Sequence, residues 1–184
     1  MSSPTRFWLT SGIGESDYSE LEAVDFAFLD SGLGYQNHVT VSSIPPTEEI
    51  FPTIDKKQGV TYIPINDELR ILPVSDIIYV VRSIRNGVKG ETIASCISLA
   101  KVSFDMNEVS NNCILAYETG GNDLKKVKKE AIVGVRNMAE KREAILDLTW
   151  EDSGFKTITS SLQVNKEYGC SASFVVFDPF TFKR

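Results

Sequence analysis

The stretch that organises this chain is NHVTVSSIPP, residues 37–46. Its first half alternates valines with polar side chains, a pattern that predicts a β-strand from Asn37 to about Ser42. The strand ends against Pro45-Pro46, whose rigid backbone leaves the preceding Ser42-Ser43 peptide little slack. The default interpretation is an ordinary strand end that is followed by an extended proline segment. The alternative is a strained Ser42-Ser43 peptide that can react.

A serine held in this way can convert its own backbone. The Ser43 hydroxyl attacks the Ser42 carbonyl and displaces its own amide nitrogen through a five-membered ring, which gives an ester. Elimination then leaves a dehydroalanine, which hydrolyses to a pyruvoyl group. The pair alone is weak evidence for this chemistry, because Ser2-Ser3 and Ser160-Ser161 occur in the same chain.

The composition indicates a single globular domain over residues 1–184. The hydrophobic fraction is 42% and the charged fraction is 24%, both ordinary values. A net charge of −6 argues against a nucleic-acid partner and suits a cationic small-molecule substrate. The chain has no apolar run of membrane-spanning length and no signal peptide, so we expect a cytoplasmic protein without a membrane partner.

Residues that commonly hold metals are scarce. The three cysteines stand far apart without a Cys-x-x-Cys pair, and His38 is the one histidine. We therefore expect no disulfide framework and no metal site. Because His38 alternates with the valines of its strand, we expect it on the more polar face rather than in a catalytic pair.

Hydrophobic patterns before Ser42 predict a strand, a helix and a second strand. The first strand covers Phe7–Thr10 and is closed by a turn at Ser11–Gly14. A helix then begins after Ser19, where the capping-box spacing occurs, and stops at Gly32.

The rest of the chain is predicted to hold more strands and two further helices. The helices begin at Gly90, with Ile93, Ile97 and Ala100 at helical spacing, and near Asn122, with Leu124, Val127, Ala131, Val135 and Met138 buried. The predicted strands are Val60–Ile65, Ile77–Ile84, Cys113–Glu118, Thr157–Leu162 and Cys170–Asp178. A polar connection at Asn66–Arg70 separates the first two of these strands. Without a regular βαβ alternation, this order predicts an α+β layered sandwich.

Two carboxylates have unusual sequence contexts. Asp25 shares a helical stripe with Leu21, Val24 and Phe28, where an ionised carboxylate needs a partner. That partner is either a basic residue of the chain or a cationic ligand in a pocket. Glu118 closes an apolar strand beside a Gly-Gly turn, where it is either a solvated strand end or a general acid.

Taken together, these residues resemble the pyruvoyl-dependent arginine decarboxylases, from Phe7 to about Phe177. The matching positions, in chain order, are Asp25, Asp30–Gly34, Asn37, Val41–Pro46, Gly90–Ile93 and Tyr168–Cys170. The spacing of six residues between Asn37 and Ser43 is part of the match. The resemblance implies a lyase of polyamine biosynthesis that decarboxylates arginine to agmatine and CO2.

The resemblance also implies a fold and an assembly. The fold is a four-layer αββα sandwich, cleaved between Ser42 and Ser43 into a β chain (1–42) and an α chain (43–184). The protein is a homotrimer or a dimer of trimers with active sites between subunits. Ser43 becomes the pyruvoyl cofactor, whose conjugated carbonyl withdraws the electrons released as CO2 leaves.

Individual roles follow from the same resemblance. Asn37 helps the cleavage by stabilising the oxyanion, and Asp25 pairs with the substrate guanidinium. Glu118 is the candidate proton donor. The other residues at the implied site are Ser42 at the cleaved bond, and Gly34 and Ile44 beside the substrate.

Two features depart from the family pattern. The family glutamate often stands in Glu-Tyr-x-Gly, whereas this chain reads Ala116-Tyr117-Glu118. Either Glu118 serves as the acid, or Ala116 occupies the acid's position and activity is lost. The second departure is extra length between Pro64 and Asp76. The alternatives are thus a decarboxylase for another amino acid, or an uncleaved or inactive member that acts as a binding or regulatory subunit.

Overall fold

The computed structural model describes residues 4–106 and 109–181, which contain two α-helices and twelve strands. The helices are α1 (Glu20–Asp30) and α2 (Leu124–Glu140). The strands are β1 (Arg6–Ser16), β2 (Asn37–Thr40), β3 (Glu48–Glu49), β4 (Thr53–Asp55), β5 (Val60–Ile65), β6 (Glu68–Ile71), β7 (Ile77–Val88), β8 (Thr92–Met106), β9 (Val109–Gly121), β10 (Ile145–Leu146), β11 (Phe155–Gln163) and β12 (Tyr168–Phe177). The predicted α+β class is confirmed, and neither helix is long and apolar enough to cross a membrane.

The described strands form three sheets. The large sheet has the order β2-β7-β12-β1-β3, and the small sheet has the order β4-β5-β6. In the second sheet, β8 pairs with β9, β10 and β11. Neighbours are antiparallel except for β2 with β7 and β1 with β3, which are parallel. The β1–β12 ladder is long, with ten residue pairs from Phe7↔Phe177 to Ser16↔Tyr168.

The two faces of the large sheet enter different hydrophobic cores, because successive side chains of a strand point to opposite sides. On one face, Trp8 packs in the same core as Ala27 of α1. On the other face, Phe7 and Val175 share a core with Leu99 of the second sheet. The three central strands β1, β7 and β12 therefore each help to bury two different partners.

Residues Thr92–Met106 form strand β8, so the helix predicted to begin at Gly90 is wrong. All residues from 93 to 100 are buried, since both faces of this strand are covered. Ile97 belongs to the core against the large sheet, and Ala100 belongs to the core that includes α2 residues. A strand buried on both faces loses the polar–apolar alternation that identifies it, and a chance helical spacing remains.

The turn predicted at Ser11–Gly14 is also wrong, because β1 continues straight through it. A Cβ added at Gly12 would lie 2.1 Å from the Ala27 carbonyl oxygen, and one at Gly14 would lie 2.1 Å from the Ala23 carbonyl oxygen. The two glycines are therefore needed for the close approach of α1 to β1, not for a turn.

The other predicted boundaries are close to the observed ones. Helix α1 is capped by Ser19, whose side chain accepts a hydrogen bond from the Glu22 N–H at 3.1 Å, and Gly32 follows its end with a φ of +80°. Helix α2 is capped by Asp123, as its predicted start near Asn122 implies. The five strands predicted after residue 60 are confirmed, most of them with longer bounds.

Two connections differ from the prediction. The strand from Asn37 ends at Thr40 rather than Ser42. The connection predicted at Asn66–Arg70 is a two-residue hairpin turn, in which Asn66 and Asp67 have φ of +49° and +66°. Strand β6 follows directly and pairs with β5.

We predict that Gly14→Ala lowers the free energy of unfolding by about 2–3 kcal/mol, because the new Cβ displaces the α1 backbone at Ala23. Urea unfolding followed by circular dichroism measures this loss. Ile13→Ala is the matched control on the same strand, since the Ile13 side chain is 40% exposed. An equal loss in both variants would contradict the close helix–strand packing.

Candidate active site

The Ser42-Ser43 peptide lies just beyond β2, at the edge of the large sheet. The Val41 N–H still donates to the Val80 carbonyl at 3.0 Å, as in a sheet. Two residues later, the Ser43 carbonyl accepts a hydrogen bond from the Ala116 N–H of β9 at 2.9 Å. The segment therefore passes from the large sheet to the second sheet, with Ser42 exposed and Ser43 half-buried.

The serine peptide is bent back on itself. The Ile44 N–H donates to the Ser42 carbonyl oxygen at 2.8 Å, which closes a three-residue turn with Ser43 at its centre. This is the carbonyl that the Ser43 hydroxyl attacks in the chemistry described above, and a donor on its oxygen polarises it. The sequence interpretation missed this role of Ile44. The signal was available, since Pro45 and Pro46 have no N–H to offer.

Glu118 of β9 reaches the same serine. Its Oε2 accepts a hydrogen bond from the Ser43 Oγ at 3.3 Å. Ala116 lies on the same face of β9 but is fully buried, in the core that also contains Phe7. Of the two positions considered for the acid, only Glu118 presents an ionisable group to Ser43.

Asp25 and Gly34 lie elsewhere, on the wall of a cavity of about 570 Å³ beside α1. Leu21, Phe28 and His38 line the same cavity. Within the part of the chain that the structure describes, no ion pair includes Asp25. Its carboxylate is therefore available to a cation in the cavity.

The predicted burial of Asp25 is wrong in detail. Helix α1 buries Ala23, Ala27 and Phe28, whereas Asp25 is exposed and Leu21 is 78% exposed. The small alanines face the sheet because the glycines of β1 admit the helix backbone so closely. Larger side chains on the neighbouring helical face are left to line the cavity.

His38 is held firmly between α1 and the large sheet. Its ring stacks on Phe28 with 4.3 Å between centroids, and its Nε2 lies 2.9 Å from the Leu33 carbonyl oxygen. The expectation of a more polar face is wrong, since His38 is half-buried while Val39 is 42% exposed. The alternation along the strand was real, but it does not say which face another element covers.

The predicted site residues thus fall into two groups within one chain. Ser42, Ser43, Ile44 and Glu118 are together at the junction of the two sheets. Asp25 and Gly34 are together in the cavity, and no residue of the first group lines it. Ser43 follows His38, which lines the cavity, by five positions, and five positions of extended chain span up to about 16 Å.

Asn37 joins neither group. Its side-chain amide donates to the Ser75 carbonyl at 2.9 Å, and its backbone N–H donates to the Asp76 carbonyl at 2.8 Å. Both partners belong to the loop between β6 and β7. The Asn37 side chain is therefore directed toward this loop and not toward the Ser42-Ser43 peptide of its own chain.

Other reactive side chains offer less. The three cysteines are free, and burial raises the pKa of Cys96 to about 11 and that of Cys170 to about 12. These two thiols are protonated near neutral pH and are poor nucleophiles. Among residues 4–106 and 109–181, no group of three or more His, Cys, Asp or Glu side chains is placed to hold a metal ion.

Comparison with known proteins gives the family. A family model described as pyruvoyl-dependent arginine decarboxylase matches residues 6–182. The pyruvoyl-dependent arginine decarboxylase of Methanococcus maripaludis strain C5 is 31% identical over 169 residues, which cover 91% of this chain and 87% of that protein. Proteins of the same name from Methanococcus vannielii and Methanopyrus kandleri are 30% and 27% identical, and the latter match covers 96% of this chain. The resemblance inferred from the sequence is confirmed: the chain belongs to the pyruvoyl-dependent arginine decarboxylase family.

Proposed function

We propose that this protein cleaves itself between Ser42 and Ser43 and that the mature form decarboxylates arginine to agmatine and CO2. The observation that carries the proposal is the contact between Ser43 Oγ and Glu118 Oε2 at 3.3 Å. The names of the related proteins support the substrate. Asp25, which forms no ion pair with any residue that the structure describes, lies in a cavity large enough for an amino acid and supports it independently.

The cleavage begins as an acyl shift. A bond forms between Ser43 Oγ and the Ser42 carbonyl carbon, the amide C–N bond breaks, and the hydroxyl proton passes to the departing nitrogen. Glu118 accepts the hydrogen bond of that hydroxyl, so it is in position to carry the proton. The Ile44 N–H, 2.8 Å from the Ser42 oxygen, stabilises the negative charge that develops there.

Elimination completes the cleavage. The Ser43 Cα–H proton is lost, and residues 1–42 leave with a Ser42 carboxylate. Water then hydrolyses the remaining dehydroalanine to the pyruvoyl group and ammonia. The family resemblance also assigns Asn37 to the oxyanion, but its amide is engaged by Ser75. We therefore assign the oxyanion to the Ile44 N–H and retain Asn37 as a second candidate.

The surroundings of residue 43 fit a pyruvoyl group. When formed, the group supplies a conjugated carbonyl that takes up the electrons released as CO2 leaves. Glu118 lies beside the position of this carbonyl and is the proposed donor of the proton that replaces CO2. Ile44, whose side chain is 49% exposed, offers an apolar wall that keeps water from the reacting atoms.

The other end of the substrate is assigned to the cavity beside α1. A guanidinium is planar and can donate two parallel hydrogen bonds to one carboxylate. Asp25 is proposed to receive them, with Gly34 leaving room beside it. A lysine-like ammonium would form a less specific contact, which is why we favour arginine over other cationic amino acids.

The two groups of residues become one site if the protein assembles as a homotrimer or a dimer of trimers. In that assembly, Ser43 and Glu118 of one subunit approach the cavity of the next. Exposed apolar side chains near each group, Leu21 at 78% and Ile44 at 49%, support an interface there.

We further propose a four-layer αββα sandwich in one domain, located in the cytoplasm. Support for the layers comes from cores at three successive interfaces. One joins α1 to the large sheet, one joins the two sheets, and the third joins the second sheet to α2.

The first test is the intact mass of the purified protein. We expect two chains, residues 1–42 and 43–184, the larger with the mass change of serine-to-pyruvoyl conversion. Ser43→Ala should remain one chain, because it has no nucleophile. Ser42→Ala is the matched control and should still be cut, since its side chain does not react. One uncut mass for the wild type after long incubation would favour the inactive binding subunit.

A second test concerns the acid. Glu118→Gln should lower kcat by about 10²- to 10³-fold, because the neutral amide cannot supply the proton. Glu118→Asp keeps an acid on a shorter side chain and should recover part of the loss. Single-turnover rates of matured protein measure both. An unchanged kcat in Glu118→Gln would remove this residue from the mechanism.

The third test asks whether the site is shared. Asp25→Asn and Ser43→Ala proteins should each be nearly inactive, the first through a raised KM. In co-expressed mixed trimers, about a quarter of the sites combine an intact Asp25 with an intact Ser43 of the neighbour. We expect agmatine production to recover to about that fraction. No recovery in verified mixed trimers would place both residues of each site on one chain.

A further inference from the structure

The cavity beside α1 contains a histidine with a defined tautomer. The Nε2 of His38 faces the Leu33 carbonyl oxygen at 2.9 Å, and a carbonyl can only accept. Nε2 therefore carries the proton, and in the neutral ring Nδ1 is the acceptor. The stacking on Phe28 at 4.3 Å holds the plane of the ring.

The second ring nitrogen is free to meet a ligand. Within the described residues, Nδ1 of His38 has no hydrogen-bond partner. Nδ1 is also absent from the group of fully buried side-chain atoms that lack a partner, so it is not enclosed in the core. Because His38 lines the cavity, this acceptor is accessible from the space that Asp25 also lines.

The protonation of His38 is set mainly by burial and also by its hydrogen bond and the nearby charges. Glu22 and Asp25 of α1 line the cavity, and Arg82 of β7 acts on the ring from the sheet. Burial lowers the pKa of His38 below 6.5 and Arg82 lowers it further, against the raising effect of the Leu33 hydrogen bond. The imidazole is therefore neutral near pH 7, despite the two carboxylates.

We propose that His38 is a positioning residue for the cationic end of the substrate: its neutral Nδ1 accepts a hydrogen bond from the guanidinium, and its protonation weakens binding. This inference rests on the proposed function, because it takes the cavity as the guanidinium site. A guanidinium that is paired with one carboxylate can still rotate. A second acceptor beside Asp25 fixes the orientation of the guanidinium plane. A proton on Nδ1 removes the acceptor and adds a like charge.

Binding and protonation are then linked in both directions. A cation that is bound beside His38 must weaken proton binding to His38 by the same factor by which protonation weakens cation binding. We expect saturating agmatine to lower this pKa by about one unit, which is a tenfold effect. Agmatine is a suitable probe because it carries the guanidinium and does not require the pyruvoyl group to bind.

The experiment is an NMR pH titration of histidine-labelled wild-type protein, with and without agmatine. His38 is the only histidine, so its signals need no assignment. Nitrogen shifts report the tautomer, which should be protonated at Nε2. Calorimetry between about pH 8 and about pH 5 measures agmatine affinity in parallel, for the wild type and for Asp25→Asn.

Two variants separate the hydrogen bond from the charge. His38→Gln keeps a donor for Leu33 and an acceptor for the cavity but cannot titrate, so at about pH 8 agmatine should bind to it more tightly than to His38→Leu, with a weaker pH dependence than in the wild type. His38→Leu removes the acceptor and should bind about fivefold more weakly at about pH 8. Val39→Ala, on the opposite face of β2, is the control and should match the wild type.

The outcomes are distinct. Agmatine binding that depends on Asp25 and lowers the pKa of His38 supports the inference. Binding that depends on Asp25 but leaves this pKa unchanged overturns the role of His38 and leaves the proposed function intact. Binding that is absent, or indifferent to Asp25→Asn, overturns the cavity as the guanidinium site, and the role of His38 with it.

Discussion

The strand β8 must be covered on both of its faces, and much of the chain supplies that cover. Its residues 93–100 are buried without exception. The large sheet covers one face and α2 the other, while β9, β10 and β11 occupy its edges. Cores lie on both faces of β8, and the strands β1, β7 and β12 contribute to the core on the side of the large sheet. The small alanines of α1 and the glycines of β1 extend the same close packing outward.

The Ser42-Ser43 peptide is located at an edge of this packing. Strand β2 is the last strand of the large sheet, so its continuation is free to turn toward the second sheet. The hydrogen bond from the Ala116 N–H to the Ser43 carbonyl anchors that turn. The same strand of the second sheet carries Glu118, two residues further along, to the Ser43 hydroxyl. A single strand, β9, thus both holds the peptide and brings the Glu118 carboxylate to Ser43.

The sequence was sufficient for most elements and for the family, but not for what depends on the surroundings. Caps such as Ser19 and Asp123 were predictable because they act locally. The helix predicted at Gly90 was wrong because both faces of β8 are buried by other elements, the large sheet and α2. The residues of the strand itself do not indicate that cover. Asp25 was predicted on the buried face of α1, whereas the helix buries its alanines instead. The reason lies on another element, because the glycines of β1 allow the alanine face to approach the sheet. The donor to the Ser42 carbonyl was missed because it is a backbone group, which residue types do not reveal.

The long β1–β12 ladder has a consequence for the proposed cut chain. The fragment 1–42 contains β1, α1 and β2, and its ten ladder pairs with β12 join it to the rest of the molecule. It also contains Asp25 and His38, whereas Ser43 and Glu118 belong to the other fragment. Cleavage between Ser42 and Ser43 would thus change the connectivity but not the fold, as in a split protein whose halves remain associated. Activity would then require the two fragments to stay associated, because the proposed site residues are divided between them.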